Sequence, residues 1–226
     1  MSFPVMLFAA GFGTRMKHLT ADRPKPMVHV AGKPLINYAL EVARGICPPT
    51  IVANLHYKPA QLVVHLAPLG VQTLIEAPAI LDTGGGLRNA LPLLGDGPVV
   101  TMNTDAIWRG TNPLKQLIEA WDPTRMDALL MGIPLVQAHE HTGDGDFTLA
   151  SDGRLTRGAG VIYGGAQIIK TDLLASVDED TFSLNLIWNK MLERHTLFGL
   201  RYDGEWCDVG HPDGILTAEA LLARNV

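Results

Sequence analysis

The chain has 226 residues, 47% of them apolar and 18% charged, a balance that supports a packed core and excludes an intrinsically disordered protein. Its formal net charge of -5, with no acidic or basic run, supplies no field for a polyanion, so nucleic acid is not expected as a partner, although local Lys and Arg clusters can still hold a phosphate. The length suits one α/β domain with at most a small appended lobe.

Short apolar runs alternate with helical patterns along the chain, the rhythm of βαβ units on a mostly parallel sheet. Residues 3–10 read as a first strand. They are too short to cross a membrane, lack a basic n-region and run straight into glycines, so neither an export signal nor a membrane partner is expected and the protein is read as cytoplasmic. A helix is expected over 34–44 with Pro34 as its first residue, then a strand at 50–55, a helix at 59–66 and a strand at 71–76. A glycine loop then opens a helix at 87–94. Residues 98–102 form a near-continuous apolar run, as a buried central strand does, ending at Asn103-Thr104-Asp105. A helix at 113–121 and a strand at 128–133 follow. The polar stretch 139–157 holds a hairpin, 147–150 against 154–156. The remaining elements are a strand at 160–169, an amphipathic helix at 184–193 with Trp188, Met191 and Leu192 as core, a short strand at 206–209 and a helix at 213–224. Cys47 and Cys207 show no CxxC spacing and are expected to be free thiols.

In open α/β sheets ligands sit beyond the carboxyl ends of the strands, which directs attention to the residues just after them. Ala9-Ala10-Gly11-Phe12-Gly13-Thr14-Arg15 follows the first strand; its amides can turn around a phosphate, or the glycines can simply make a tight turn. The loop matches neither GxGxxG, since Met16 stands where the third glycine belongs, nor GxxxxGK[ST]. Lys25 lies between Pro24 and Pro26, whose fixed φ angles restrict where its ammonium points. Asp82-Thr83-Gly84-Gly85-Gly86 is read as a loop where a flat base can approach the backbone, or as a merely flexible one. Asp105 and Asp208 each close a strand. Singly each suits a cap or a turn; together they are the hard oxygen ligands magnesium prefers beside substrate phosphates. His139-Glu140-His141 lacks the spacing of a helical HExxH site and is read as an exposed loop. No nucleophile elbow or Cys/His pairing is present.

These residues carry a resemblance. The first strand followed by Gly11, Gly13, Thr14 and Arg15, then Pro24-Lys25-Pro26, is similar to the signature of the sugar-1-phosphate nucleotidylyltransferases. The resemblance implies an α/β, Rossmann-like sheet flanked by helices with a small sugar-binding lobe, the nucleotide half over about 1–110 and the sugar half over about 111–226. It implies that the loop through Ala10, Gly11, Gly13 and Thr14 wraps the triphosphate and that Arg15 and Lys25 act at the reacting centre. By the same resemblance Leu81, Asp82, Thr83, Gly84 and Gly85 contact base and ribose, with Asp82 standing where Glu is frequent, and Asp105 and Asp208 hold Mg2+.

The expected small-molecule substrates are an NTP and a sugar 1-phosphate, and no protein nucleophile is needed. Sugar contacts are expected from Gly164 and Asn185. Tyr163-Gly164-Gly165 suits either a sugar platform or a bulged strand, and Asn185 either reaches the sugar phosphate or supports the helix cap behind Ser183. Among short bacterial members the resemblance points to UTP and N-acetylmuramate 1-phosphate in cell-wall recycling, because of the triple glycine at Gly84-Gly85-Gly86; mannose-1-phosphate guanylyltransferases and heptose-1-phosphate enzymes share much of the pattern. A catalytically idle nucleotide sensor and a Rossmann oxidoreductase are the readings from other classes. The four charged residues oppose the first, and the missing third glycine opposes the second.

Overall fold

The computed structural model describes residues 2–224. Four parallel strands form the half that comes first in the chain: β1 (Val5–Phe8) lies between β4 (Ile51–Leu55) and β6 (Val99–Asn103), and β5 (Gln72–Ile75) adds outside β4. The ribbons β2 (His29–Val30) and β3 (Lys33–Pro34) make a separate antiparallel pair. Beyond β6 the sheet turns antiparallel through β12 (Val161–Ile169), which also pairs with β8 (Ala128–Pro134) and with the hairpin β10 (Phe147–Leu149) and β11 (Leu155–Arg157). Strand β13 (Leu197–Arg201) lies parallel to β8. A small second sheet, β7 (Ala106–Arg109), β14 (Glu205–Asp208) and β9 (Ala138–His139), stands beside the large one.

Six helices join these strands: α1 (Leu35–Arg44), α2 (Pro59–Leu66), α3 (Asp82–Leu94), α4 (Pro113–Ala120), α5 (Leu184–Glu193) and α6 (Asp213–Ala223). Strand alternation decides which face each helix covers. Val5 and Leu7 point to one side, where Ile36 and Leu40 of α1, Leu62 and Leu66 of α2, and Leu114 and Leu117 of α4 cover them. Met6 points to the other side and meets Leu87, Ala90 and Leu94 of α3 with Ile187, Trp188 and Met191 of α5. Both faces of the sheet are thus buried, which is why these strands read as continuous apolar runs. A third cluster joins Met16, Ile107, Cys207 and Val209 to Ala218 and Leu221, seating α6 against the small sheet.

Most expected elements stand where the pattern put them, with three differences. Pro34 caps α1 from outside instead of opening it, having an extended ψ of 139°. Five short strands, β2, β3, β7, β9 and β13, were not expected from the pattern, since each has only two to five residues and no sustained alternation. The third concerns Asp82 to Gly86, which form the first turn of α3 and no loop. The glycines there make room for protein: a Cβ on Gly84 would lie 2.4 Å from the Phe182 ring, one on Gly85 2.2 Å from the Asp180 carbonyl, and one on Gly86 2.6 Å from Glu76 Oε1. The Gly84 and Gly85 amides both donate to the Phe182 carbonyl, at 2.9 and 3.1 Å.

Gly85→Ala therefore forces backbone against backbone and is expected to cost about 1–3 kcal/mol, the range for overpacking. Urea unfolding followed by circular dichroism checks this; a midpoint equal to that of the native chain rejects the packing account.

Candidate active site

The cleft lies at the carboxyl ends of β1, β4 and β6, and backbone geometry brings its parts together. Ala9 ends β1 with its amide held by Asn54 Oδ1 at 3.0 Å, and Asn54 in turn donates to the buried carboxylate of Glu76 at 2.7 Å. The second Glu76 oxygen accepts the Leu81 amide at 2.8 Å, so one buried acid ties three strand tips into a wall. Nothing in the one-dimensional pattern singled out Asn54 or Glu76; Asn54 bonds Ala9 across 45 residues and Glu76 across 22. The cavity of about 250 Å³ against this wall is lined by Ala9, Ala10, Gly11, Lys25, Asn54, Ile80, Asp82, Thr83, Asn103 and Asp105.

The two glycines of the first loop have different reasons. A Cβ on Gly11 would meet nothing within 4 Å, so the space in front of it is open. Gly13 has φ +64, a left-handed conformation that favours glycine, and its Cα faces Lys25: an added Cβ would fall 2.7 Å from Lys25 Cβ. Thr14 and Arg15 then begin the first of two 3-10 turns that reach Thr20 across a kink at Lys17. Lys25 starts another short 3-10 turn between its prolines, is 8% exposed, and places Nζ 2.8 Å from Asp105 Oδ2.

Asp105 and Asp208 meet through the small sheet. In the antiparallel pairing of β7 with β14, Asp208 lies opposite Ala106, and the Val209 amide donates to the Asp105 carbonyl at 2.8 Å. Burial, then the Asp105 charge, holds the Asp208 carboxyl above its ordinary range, against the opposing pull of Lys25, Arg15 and His211. Arg15 approaches Asp208 at 3.9 Å from a largely exposed side chain, a loose pair that leaves the guanidinium available. Four charged side chains from positions 15, 25, 105 and 208 thus gather at one edge of the cleft.

Among the described residues no group of three His, Cys, Asp or Glu side chains gathers that could hold a metal alone. Two neighbouring carboxylates, one of them half-buried and disfavoured as an anion by burial and then by the other, nevertheless fit a divalent cation that takes its remaining ligands from phosphates and water. Cys207 is buried and pushed up to about 12, chiefly by desolvation, so its thiol is inert; Cys47 is also free.

A second cavity, of about 270 Å³, shares Phe8, Asp82, Thr83 and Asn103 with the first and extends to Asp146, Phe147, Arg157, Tyr163, Ser183, Asn185 and Trp188. Asn185 lines it. Its amide N–H and its Nδ2 both donate to Ser183 Oγ, at 3.2 and 3.1 Å, so it also belongs to the cap of α5. The expectation for Gly164 needs correction. This residue is buried under the Trp108 ring and Ile133, with a would-be Cβ 2.7 and 2.8 Å from them, and lines neither cavity. The bulged-strand reading of this segment is the right one: the β12–β8 register shifts between Tyr163 and Gln167, and Gly165, at φ +85, packs against Asn103. Gly84 and Gly85, turned to the protein, likewise line neither cavity, whereas Asp82 and Thr83 line both. Asn103 closes β6 on the ligand side, as expected, whereas Arg157 and Asp146 were not expected there, because a hairpin and a bulged strand bring them to the cavity.

A glycine loop after β1, a buried lysine and two neighbouring aspartates at the tips of a parallel sheet define the site of an α/β transferase. The chain belongs to the MobA-like NTP transferase domain family, whose model matches residues 5–140. It is 37% identical over 235 aligned residues to the N-acetylmuramate alpha-1-phosphate uridylyltransferase of Caulobacter vibrioides, covering 97% of this chain and 96% of that protein. The protein so named in Neisseria meningitidis serogroup B is 30% identical, with 96% of each covered. The mannose-1-phosphate guanyltransferase of Hypocrea jecorina is 27% identical over 98% of this chain but only 64% of its own length. The crystal structure of HddC from Yersinia pseudotuberculosis complexed with GMP-PN shares the fold, with a TM-score of 0.78 at 23% identity over 97% of this chain and 99% of that one.

Proposed function

We propose that the chain transfers a uridylyl group from UTP to N-acetylmuramate 1-phosphate, giving the UDP-sugar and pyrophosphate with Mg2+. The gathering of Arg15, Lys25, Asp105 and Asp208 around one cleft is the observation that carries nucleotidyl transfer. Likeness over nearly full length to two N-acetylmuramate 1-phosphate uridylyltransferases supports the substrate pair.

The first cavity suits the nucleotide and the adjoining second cavity the sugar, which assigns about 1–110 to the nucleotide and about 111–226 mostly to the sugar. A sugar phosphate oxygen forms a bond to the α-phosphorus as the bond to the β-phosphate oxygen breaks, and pyrophosphate leaves with that electron pair. The open face of Gly11 lets the Ala10–Thr14 backbone approach the phosphates. Lys25 would neutralise charge at the reacting phosphate, its stem held by Gly13 and its ammonium by Asp105. Arg15, free to swing from Asp208, would meet the departing pyrophosphate. Asp105 and Asp208 would hold Mg2+, which when bound offsets phosphate charge and orients the two anions. Leu81, Asp82 and Thr83 remain candidates for base and ribose contacts.

Purified protein incubated with each NTP and with N-acetylmuramate, N-acetylglucosamine, mannose and glucose 1-phosphates, followed by pyrophosphate release, tests the reading. Turnover is expected to be highest with UTP and N-acetylmuramate 1-phosphate. Strong turnover with GTP and mannose 1-phosphate and none with UTP rejects the substrate pair; nucleotide binding without pyrophosphate release from any pair rejects catalysis.

A further inference from the structure

The sugar-side cavity contains a cation that the transfer chemistry above does not use. Arg157 ends β11, and its Nη2 donates to Asn185 Oδ1 at 2.7 Å and to Asn189 Oδ1 at 3.0 Å, two amides one turn apart on α5. Its guanidinium lies over the Phe147 ring at 4.6 Å and near the Trp188 ring at 5.9 Å. The head group is therefore held on two sides by neutral partners. Among the described residues no carboxylate comes within ion-pair distance of it. Asp146 is the nearest acid influence, and its Oδ2 is already engaged by the Tyr163 amide at 2.8 Å. The hydrogen bonds of Arg157 use only Nη2, leaving Nη1 and Nε as separate charged donors for a ligand anion.

We propose that Arg157 is the specificity-determining residue of the sugar site and that it binds the carboxylate on the lactyl ether of N-acetylmuramate. The inference rests on the substrate reading above and deepens it. N-acetylmuramate differs from N-acetylglucosamine by that lactyl group alone, so the discrimination must come from a group that gains from a carboxylate. Arg157 is the cation that lines the second cavity, while Lys25 lines the first. Neutral asparagine anchors suit this role: an acid in their place would satisfy the guanidinium and leave little gain for a ligand charge. Mannose and glucose 1-phosphates carry no such carboxylate and gain nothing from it.

The test compares kcat/KM with UTP for N-acetylmuramate 1-phosphate, its lactyl amide and N-acetylglucosamine 1-phosphate, in the native chain, Arg157→Met and Arg157→Lys. The native chain is expected to prefer the lactyl carboxylate by on the order of 100-fold over its amide, within the range for hydrogen bonds to charged groups. Arg157→Met is expected to abolish that preference, mainly through KM, with circular dichroism and thermal melting checking that the variant is folded. Arg157→Lys should restore only part, since one compact ammonium cannot hold both asparagine oxygens and still present further donors to the carboxylate. A uniform fall on all three substrates in Arg157→Met overturns the inference and leaves the substrate reading standing. A native chain with no preference for the lactyl carboxylate overturns both.

Discussion

Asp208→Asn is expected to lower turnover by about 10²–10³-fold at saturating substrates while leaving the chain folded. Asparagine keeps the volume and removes one of two like charges that burial presses together beside β7, so thermal stability should stay level or rise. The backbone bond from Val209 to Asp105 that seats this strand does not involve the substituted side chain. Pyrophosphate release across a magnesium titration measures the catalytic part. Thermal melting with and without magnesium measures binding: the native midpoint should climb with the ion and that of the variant should not. Near-native turnover at ordinary magnesium concentration removes Asp208 from the site, whatever the melting curves show. A gain in stability with a loss of activity is the combination that separates a functional carboxylate from a structural one.

Lys25→Met is expected to reduce kcat by a similar 10²–10³-fold, because a buried ammonium aimed at the reacting phosphate offsets charge that develops only in the transition state. Methionine fills most of the space between Pro24, Pro26 and Gly13, so a folded variant is expected. Gly13→Ala supplies a control that leaves all charges in place. Its Cβ would meet Lys25 Cβ at 2.7 Å in a backbone conformation with φ +64, so it should displace the lysine and lower kcat more than it raises the KM for UTP. Steady-state kinetics with single-turnover measurement of the chemical step distinguish the outcomes. If Lys25→Met changes KM alone, the lysine contributes ground-state binding and the transition-state assignment fails.

The parallel βαβ half was legible because its strands are buried on both faces and its helices carry one apolar stripe, so periodicity and glycine punctuation agree. The glycine loop and the two aspartates stood out for a different reason: they lie at or just after strand ends, where a change from apolar to polar residues marks the ligand side, while Lys25, well past β1, stood out by its flanking prolines. The second cavity was not. Arg157 and Asp146 reach it through a hairpin packed on a bulged strand, and nothing local to either of them sets those crossings. Glycine proved the least transparent residue. Gly11 faces open space and Gly13 a lysine stem, whereas Gly84, Gly85 and Gly86 admit Phe182, Asp180 and Glu76, yet in the sequence all five read alike.

By itself, then, the chain of residues determined the alternation of strands and helices and which loops end at strand tips, because those depend on periodicity and on backbone φ, both local properties. Only the tertiary structure decided that Lys25 and Asp105 line one cleft with the Arg15–Asp208 pair beside them, that Glu76 ties its wall together and that Arg157 has no acidic partner among the described residues within ion-pair distance. These are pairings between side chains tens of residues apart, and their energies exist only after the sheet has brought the strand tips within a few ångströms of one another.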